Sequence, residues 1–204
     1  MAHIDTIDAQ YKTESDTKYI IFYEAAKLFT EKGYYAVSMR EIAEKSNVTK
    51  PTIYYYFGSK EDLYKSLIKL GMDEGFDSFK KIAEMDIPVK KKLVKFLKLR
   101  FQLSVEHPEL SNFFLKVFSS VENLPFSAEI HCDAKSHRDI SIKVIREAID
   151  SGEFGPGVNP ELAIDFIGAV TYHFIRKQLK TDKKILTDKL AEEIIELLFK
   201  GFNE

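Results

Sequence analysis

Apolar residues recur along most of this chain at intervals of three and four positions rather than in alternation. This spacing places them on one face of an α-helix, whereas alternation would place them on one face of a strand. Glycine and proline are scarce, with 9 and 6 copies, so few positions interrupt the pattern. The sequence therefore predicts an all-α protein of about nine helices.

The first four predicted helices are separated by short breaks. Gly33 supplies the left-handed conformation that ends the first helix, while Ser38 and Thr49 are suited to cap the second and third. The predicted ranges are 16–32, 38–45, 49–56 and 59–84. Two short helices joined by the turn 46–48 cannot bury a core alone, so the first and fourth helices must pack behind them. This arrangement predicts a helix-turn-helix head.

Five further amphipathic segments follow, and each is bounded by proline, glycine or asparagine. Their predicted ranges are 90–106, 109–121, 127–151, 160–179 and 187–202. The 204 residues are 45% hydrophobic, which is enough for a globular core. Charges interrupt every apolar stretch well before a membrane span, the N-terminus does not resemble a signal peptide, and Cys132 has no disulfide partner within the chain. We therefore expect a cytoplasmic protein with no membrane association.

The third helix begins with residues that suit the reading of base edges. Lys50 can donate to guanine O6 or N7, and Pro51 offers a small apolar surface to a thymine methyl group. Three consecutive tyrosines follow, Tyr54, Tyr55 and Tyr56. Successive helix positions are about 100° apart, so the three rings cannot all enter one core, and at least one must face outward.

Groups that could hold phosphates flank this helix. Ser38, at the start of the second helix, offers its hydroxyl, a backbone N–H and the positive end of the helix dipole. Lys60, in the first turn of the fourth helix, can pair with a phosphate. The formal net charge of the chain is −2, but residues 34–69 contain six Lys or Arg and four Asp or Glu, a local +2. A nucleic-acid site must therefore be a local patch.

The stretch AAKLFTEKGYYAVSM, followed by IAEKSNV, TKPTIYYYF and SKEDL, resembles the TetR family of bacterial regulators. The resemblance covers roughly residues 17–65, with the family's order and spacing. Asn47 stands where a turn glycine is usual, although asparagine tolerates the left-handed conformation. Pro51 stands where glycine is frequent, which weakens any expectation about base preference.

The resemblance implies roles for individual residues. Lys50, Pro51 and Tyr54 would face base edges, and the backbone contacts would come from Ser38, Thr49, Tyr55, Tyr56 and Lys60. Partial core packing of Tyr54 stays an alternative. Residues 1–15 are polar, and we expect them to form a flexible N-terminal arm. For the rest of the chain, the resemblance implies a DNA-binding domain at 16–65 and a helical effector-binding and dimerisation domain at 66–204.

The implied partners are a double-stranded DNA operator, a small effector, and a second copy bound through the last two helices. The helix at 160–179 has a broad apolar face that includes Leu162 and Phe166, and the last helix has one that includes Ile194 and Leu197. Together they suit a four-helix dimer interface, with monomer core as the alternative.

The effector pocket is predicted from an unusual supply of aromatic residues, which suggests a largely apolar ligand. Its candidate residues are Phe101, Phe114, Phe118, Tyr172 and His173, with ordinary core packing as the alternative for each. The basic run of the fifth helix, from Lys90 to Arg100, is interpreted as a solvated face, and an anionic lipid-like or acyl effector is the alternative. His131, Cys132, Asp133 and His137 do not share one helix face, so we expect no metal site and no cofactor.

These features predict a dimeric, sequence-specific repressor that a small, largely apolar ligand releases from a palindromic operator. No GxSxG, HExxH, phosphate-loop or CxxC motif is present, so we do not expect an enzyme. An adaptor that binds protein through the same head is the third hypothesis. Salt distinguishes it, because affinity for DNA falls steeply as salt rises.

Overall fold

The computed structural model describes residues 14–119 and 127–202, and within them the side chains of all but residues 14–16, 74, 118 and 127–137. This part of the chain forms nine α-helices and contains no strand, so the predicted fold class is confirmed. The helices are α1 (Glu14–Lys32), α2 (Met39–Lys45), α3 (Lys50–Phe57), α4 (Lys60–Ala83), α5 (Val89–Glu106), α6 (Pro108–Ser119), α7 (Ser127–Asp150), α8 (Pro160–Gln178) and α9 (Asp188–Gly201).

The described residues group into two compact units, divided between Ile68 and Lys69. We call the first the head and the second the larger unit. The predicted N-terminal arm, residues 1–15, lies almost entirely outside the described residues. Within the described ranges, no helix is both long enough and apolar enough to cross a membrane.

The short helices of the head begin and end where local chemistry allows. Gly33 has φ +79° and donates its N–H to the Phe29 carbonyl oxygen, which closes α1. Ser38 and Thr49 cap α2 and α3, each accepting a backbone N–H three residues ahead. Asn47 has φ +51° in the turn between them, the conformation expected there.

The core of the head fixes the orientation of the short helices. Ile21 of α1, Ile42 of α2, Ile53 of α3 and Leu63 of α4 are completely buried. Aromatic pairs tie the same helices together: the ring centroids lie 5.0 Å apart for Phe22 and Phe57 and 4.8 Å apart for Phe29 and Tyr64.

The larger unit is built around α5, which contacts α6, α7, α8 and α9. Its core takes residues from α5, α7, α8 and α9, Leu115 of α6 packs against it, and Leu97, at the centre of α5, is 1% exposed. The Glu153 carboxylate accepts the N–H groups of Val89 and Lys90 at 2.8 and 3.0 Å, and so caps the start of α5. This cap joins the loop after α7 to the central helix.

The prediction that the cations of α5 lie on a solvated face is wrong for two of them. Lys92 is buried, and its ammonium donates to both carboxylate oxygens of Glu147 on α7, at 2.7 and 2.9 Å. Arg100 is partly enclosed, and burial lowers the pKa of its guanidinium. Periodicity alone places a cation on a face but cannot reveal which faces a neighbouring helix covers.

The last two helices of the chain have two apolar sides. Ala163 of α8 and Ile194 of α9 are buried within the larger unit, which agrees with the monomer-core alternative for those positions. Leu162, Phe166 and Leu197 are instead 66, 52 and 69% exposed. Large apolar side chains therefore remain uncovered on both helices of the single chain.

The left-handed backbone at Asn47 gives a stability test for the turn between α2 and α3. Replacing Asn47 by Ala should lower the free energy of unfolding by about 1 kcal/mol, because a Cβ without a locally bonding side chain is disfavoured there. Asn47→Gly is the matched control and should stay within about 0.5 kcal/mol of the wild type, because glycine adopts this conformation freely. Urea unfolding followed by circular dichroism measures both. Equal losses for the two variants would contradict a backbone origin.

Candidate nucleic-acid interface

One edge of α3 faces solvent along its whole length. Lys50 and Pro51 are exposed in its first turn, and the Tyr54 and Tyr55 side chains are 42 and 77% exposed in the next. The opposite edge carries Ile53 and Phe57 into the core of the head. The expectation that tyrosines of this run face outward is confirmed. An exposed short helix supported from behind is the geometry that entry into a major groove requires.

The exposed side chains of α3 contact one another. The Lys50 ammonium lies 5.6 Å from the centroid of the Tyr54 ring, a distance at which a cation is attracted to the ring face. Tyr55 and Tyr56 meet edge to face, with centroids 5.3 Å apart, and Tyr56 is half-buried. The four side chains thus form a surface that combines one positive charge with three phenol hydroxyls.

Thr49 uses its hydroxyl within α3. The hydroxyl oxygen accepts the Thr52 N–H at 3.4 Å and lies 2.8 Å from the Thr52 hydroxyl oxygen. Thr49 itself is exposed. One of these two hydroxyls donates to the other, so the pair has one O–H left to donate to a phosphate.

A serine hydroxyl caps the start of α2. The Ser38 hydroxyl accepts the Glu41 N–H at 3.2 Å. The Glu41 carboxylate accepts from the Lys32 ammonium, and this bond lowers the pKa of that carboxyl. The Ser38 hydroxyl still has a proton to donate.

Arg40 is a cation that the sequence analysis did not single out. It lies exposed in the first turn of α2, and its guanidinium donates to the Glu44 carboxylate at 2.8 Å. That bond raises the pKa of Arg40. Arg40 could have been found from its position two residues after Ser38, because the start of this helix is already predicted to contact the DNA backbone.

Lys60 has a structural role that differs from the predicted one. Its ammonium donates to the carbonyl oxygens of Tyr34 and Val37, at 2.9 Å each, and lies 4.5 Å from the centroid of the Tyr34 ring. Burial lowers the pKa of this ammonium. Two of its three N–H donors thus hold the loop between α1 and α2, which places Ser38. Sequence spacing could not reveal this, because the partners lie 26 and 23 residues away.

The five predicted pocket residues lie in different environments of the larger unit. Phe101 is 3% exposed within the core, Tyr172 is partly buried, and His173 is exposed. The Phe118 side chain lies outside the described residues. Phe114 is partly buried, and a Cβ added at Gly71 of α4 would come within 1.8 Å of its ring. The structure therefore places Phe114 directly against the backbone of α4, whereas His173 lies at the surface and Phe101 packs in the core.

The two bonds from Lys60 predict a stability loss in the head. Lys60→Met keeps most of the stem but removes both donors, and should lower the free energy of unfolding by about 1–3 kcal/mol because two loop carbonyl groups lose their partner. Lys45→Met, at an exposed position of the same unit, is the control and should cost less than about 0.5 kcal/mol. Urea unfolding measures both. A Lys60→Met variant as stable as the wild type, with a flatter salt dependence of DNA binding, would instead support the phosphate role.

Known proteins with similar sequences contain the same head. Residues 21–67 match the model of bacterial regulatory proteins of the tetR family. The chain is 26% identical over 187 residues to the fatty acid metabolism regulator protein of Bacillus subtilis, covering 91% of this chain and 96% of that protein. It is also 26% identical over 171 residues to the transcriptional regulator RutR of Escherichia coli K12, covering 84 and 79%.

The solved structures agree over nearly the full length. The crystal structure of the transcriptional regulator FadR from Bacillus subtilis, in complex with stearoyl-CoA, gives a TM-score of 0.76 at 26% identity and covers 90% of this chain and 98% of that one. The match therefore extends beyond the head into the larger unit. The head matches the tetR family of bacterial regulatory proteins over residues 21–67, and the chain is a DNA-binding transcriptional regulator.

Proposed function

We propose that this protein is a homodimeric repressor that binds a palindromic operator and leaves it when a small, largely apolar ligand binds. The observation that carries the proposal is the solvent-facing edge of α3, where Lys50, Pro51, Tyr54 and Tyr55 are exposed. These side chains would contact base edges and phosphates in the major groove. Ser38 and Thr49, at the starts of α2 and α3, would add hydroxyl contacts to the backbone.

The dimer is supported by the uncovered apolar side chains of α8 and α9. Leu162 and Phe166 are four residues apart and so share one side of α8, and Leu197 is the most exposed of the three. Exposed leucine and phenylalanine at this density suit burial against a second copy of the same two helices. Two heads held one turn of DNA apart would then read the two halves of a palindrome.

The ligand proposal rests on the larger unit. The structurally similar FadR from Bacillus subtilis was crystallised with stearoyl-CoA, which has a long apolar chain. The Phe114 ring against Gly71 supports an apolar lining in this protein. We therefore propose an effector with an acyl or similar apolar chain. The ligand would act by binding more tightly to a dimer whose heads are spaced wrongly for the operator, so that the population shifts away from DNA.

Selection from random duplex DNA tests the DNA-binding part. The full-length protein should enrich a palindrome with half-sites about one turn apart, and affinity for it should fall steeply with salt because bound counterions are released. No enrichment, or an affinity that does not change with salt, would contradict the proposal and favour a protein-binding adaptor.

Lys50 is expected to select a base. Lys50→Ala should relax the preference at one position per half-site, costing about 1–3 kcal/mol of discrimination against the wrong base, because a donor to guanine is lost. Lys45→Ala is the matched control, since Lys45 is exposed on the neighbouring helix and is assigned no base contact. Sequence selection repeated with both variants measures the effect. An unchanged preference in Lys50→Ala would remove Lys50 from the base-reading residues.

Leu197 is expected to lie within the dimer interface. Leu197→Glu should weaken self-association at least ~100-fold, because a carboxylate buried between apolar surfaces loses its hydration. Lys95→Glu, exposed on α5, is the charge control and should associate like the wild type. Sedimentation equilibrium measures both dissociation constants. Dimers of equal stability in all three proteins would show that this face is not the interface.

A further inference from the structure

Arg100 is an enclosed cation of the larger unit for which the described residues supply no acceptor. Arg100 lies near the middle of α5, and its side chain extends toward α4, where its Nη1 is 3.9 Å from the position of a Cβ added at Gly75. Among the described residues, its guanidinium has neither a hydrogen bond nor an ion pair. When an enclosed cation has no partner, no interaction offsets the free energy of removing it from water.

Two enclosed lysines of the chain, unlike Arg100, have acceptors for their ammonium groups. Lys92 on the same helix is paired with the Glu147 carboxylate, and Lys60 in the head donates to two carbonyl oxygens. Both have acceptors supplied by the fold. Arg100 has five N–H donors in a planar fork, the arrangement that matches the two oxygens of a carboxylate or phosphate.

The neighbourhood of Arg100 is apolar and open to the α4 backbone. Gly71 and Gly75 are one helical turn apart on α4, so the Phe114 ring and the Arg100 guanidinium approach the same side of that helix. Phe96, one turn before Arg100, packs on Phe79 with centroids 4.5 Å apart. Arg100 and Phe114 both keep part of their surface accessible, although burial lowers the pKa of the guanidinium.

An enclosed yet partly accessible guanidinium beside aromatic rings is the combination that recognises an anionic group on an apolar molecule. A neutral ligand would leave the cation without a partner, and a small hydrophilic anion would leave the rings uncovered. The carboxylate of a free fatty acid and the phosphates of an acyl-CoA both offer anionic oxygens to a guanidinium.

We propose that Arg100 binds the anionic oxygens of the effector, a carboxylate or a phosphate, while the apolar chain of the same molecule lies against the accessible part of the Phe114 ring. This assignment rests on the proposed function, because it names the charged group of the ligand that the repressor senses. It makes the effector an anionic amphiphile and gives Arg100 the role of a specificity-determining residue.

Binding of three probes to the full-length protein tests the assignment. Stearate carries a carboxylate, stearoyl-CoA carries phosphates, and stearyl alcohol carries no charge; equilibrium dialysis of labelled probes, below their micelle concentrations, gives each affinity. We expect the affinity of Arg100→Met for an anionic probe to be at least ~10-fold lower than that of the wild type. Its affinity for stearyl alcohol should equal that of the wild type. Arg146→Met, at an exposed arginine of α7, is the matched control and should bind all three normally.

The pattern of losses identifies the source of the anion. A loss confined to stearate assigns the site to a carboxylate, and a loss confined to stearoyl-CoA assigns it to a phosphate. Equal affinities in the wild type and Arg100→Met, or an equal loss for stearyl alcohol, would overturn the assignment. A wild type that binds none of the probes but still binds its operator would also overturn it, while leaving the DNA-binding function intact.

Stability without ligand gives a second, independent readout. Because the guanidinium has no partner to lose, Arg100→Met should keep or raise the urea midpoint of the ligand-free protein. A clearly lowered midpoint would indicate a structural arginine and contradict the assignment. Should Arg100→Met fail to fold, Arg100→Lys retains the charge without the planar fork and should still bind the anionic probe several-fold more weakly than the wild type.

Discussion

The burial of Ile53 and Phe57 determines what the head can bind. These two side chains are four residues apart on α3 and enter a core shared with α1, α2 and α4. The buried residues of this 8-residue helix lie on one edge, so the side chains on the opposite edge face solvent. Lys50, Tyr54 and Tyr55 are exposed as a consequence, and the position of the candidate interface follows from packing rather than from any attraction among the polar residues.

The enclosed cations of the head and of the larger unit make different interactions. In the head, the Lys60 ammonium stabilises the loop between α1 and α2 by donating to two of its carbonyl oxygens. In the larger unit, Lys92 joins α5 to α7 through Glu147. Arg100 has no equivalent acceptor among the described residues, and the difference separates cations that stabilise this fold from one available to a ligand.

Local signals in the sequence predicted most of the fold. Gly33, Asn47 and the caps at Ser38 and Thr49 act within three or four residues of themselves, so their roles could be inferred without a structure. The helix-turn-helix and the outward tyrosines followed from helical periodicity. The roles of Lys60, Lys92 and Arg100 could not be inferred in this way, because each depends on residues from a different helix or loop. The exposure of His173 escaped prediction for the same reason, whereas the core packing of Phe101 is the alternative that the sequence left open.

We propose that two copies of α3 face DNA from one side, one turn apart. Hydroxyl-radical footprinting of the wild-type protein on its selected duplex measures this directly. We expect two protected patches related by the two-fold axis of the site, with centres about 10 base pairs apart across one face of the DNA helix. A single patch, or protection that does not follow that symmetry, would contradict it.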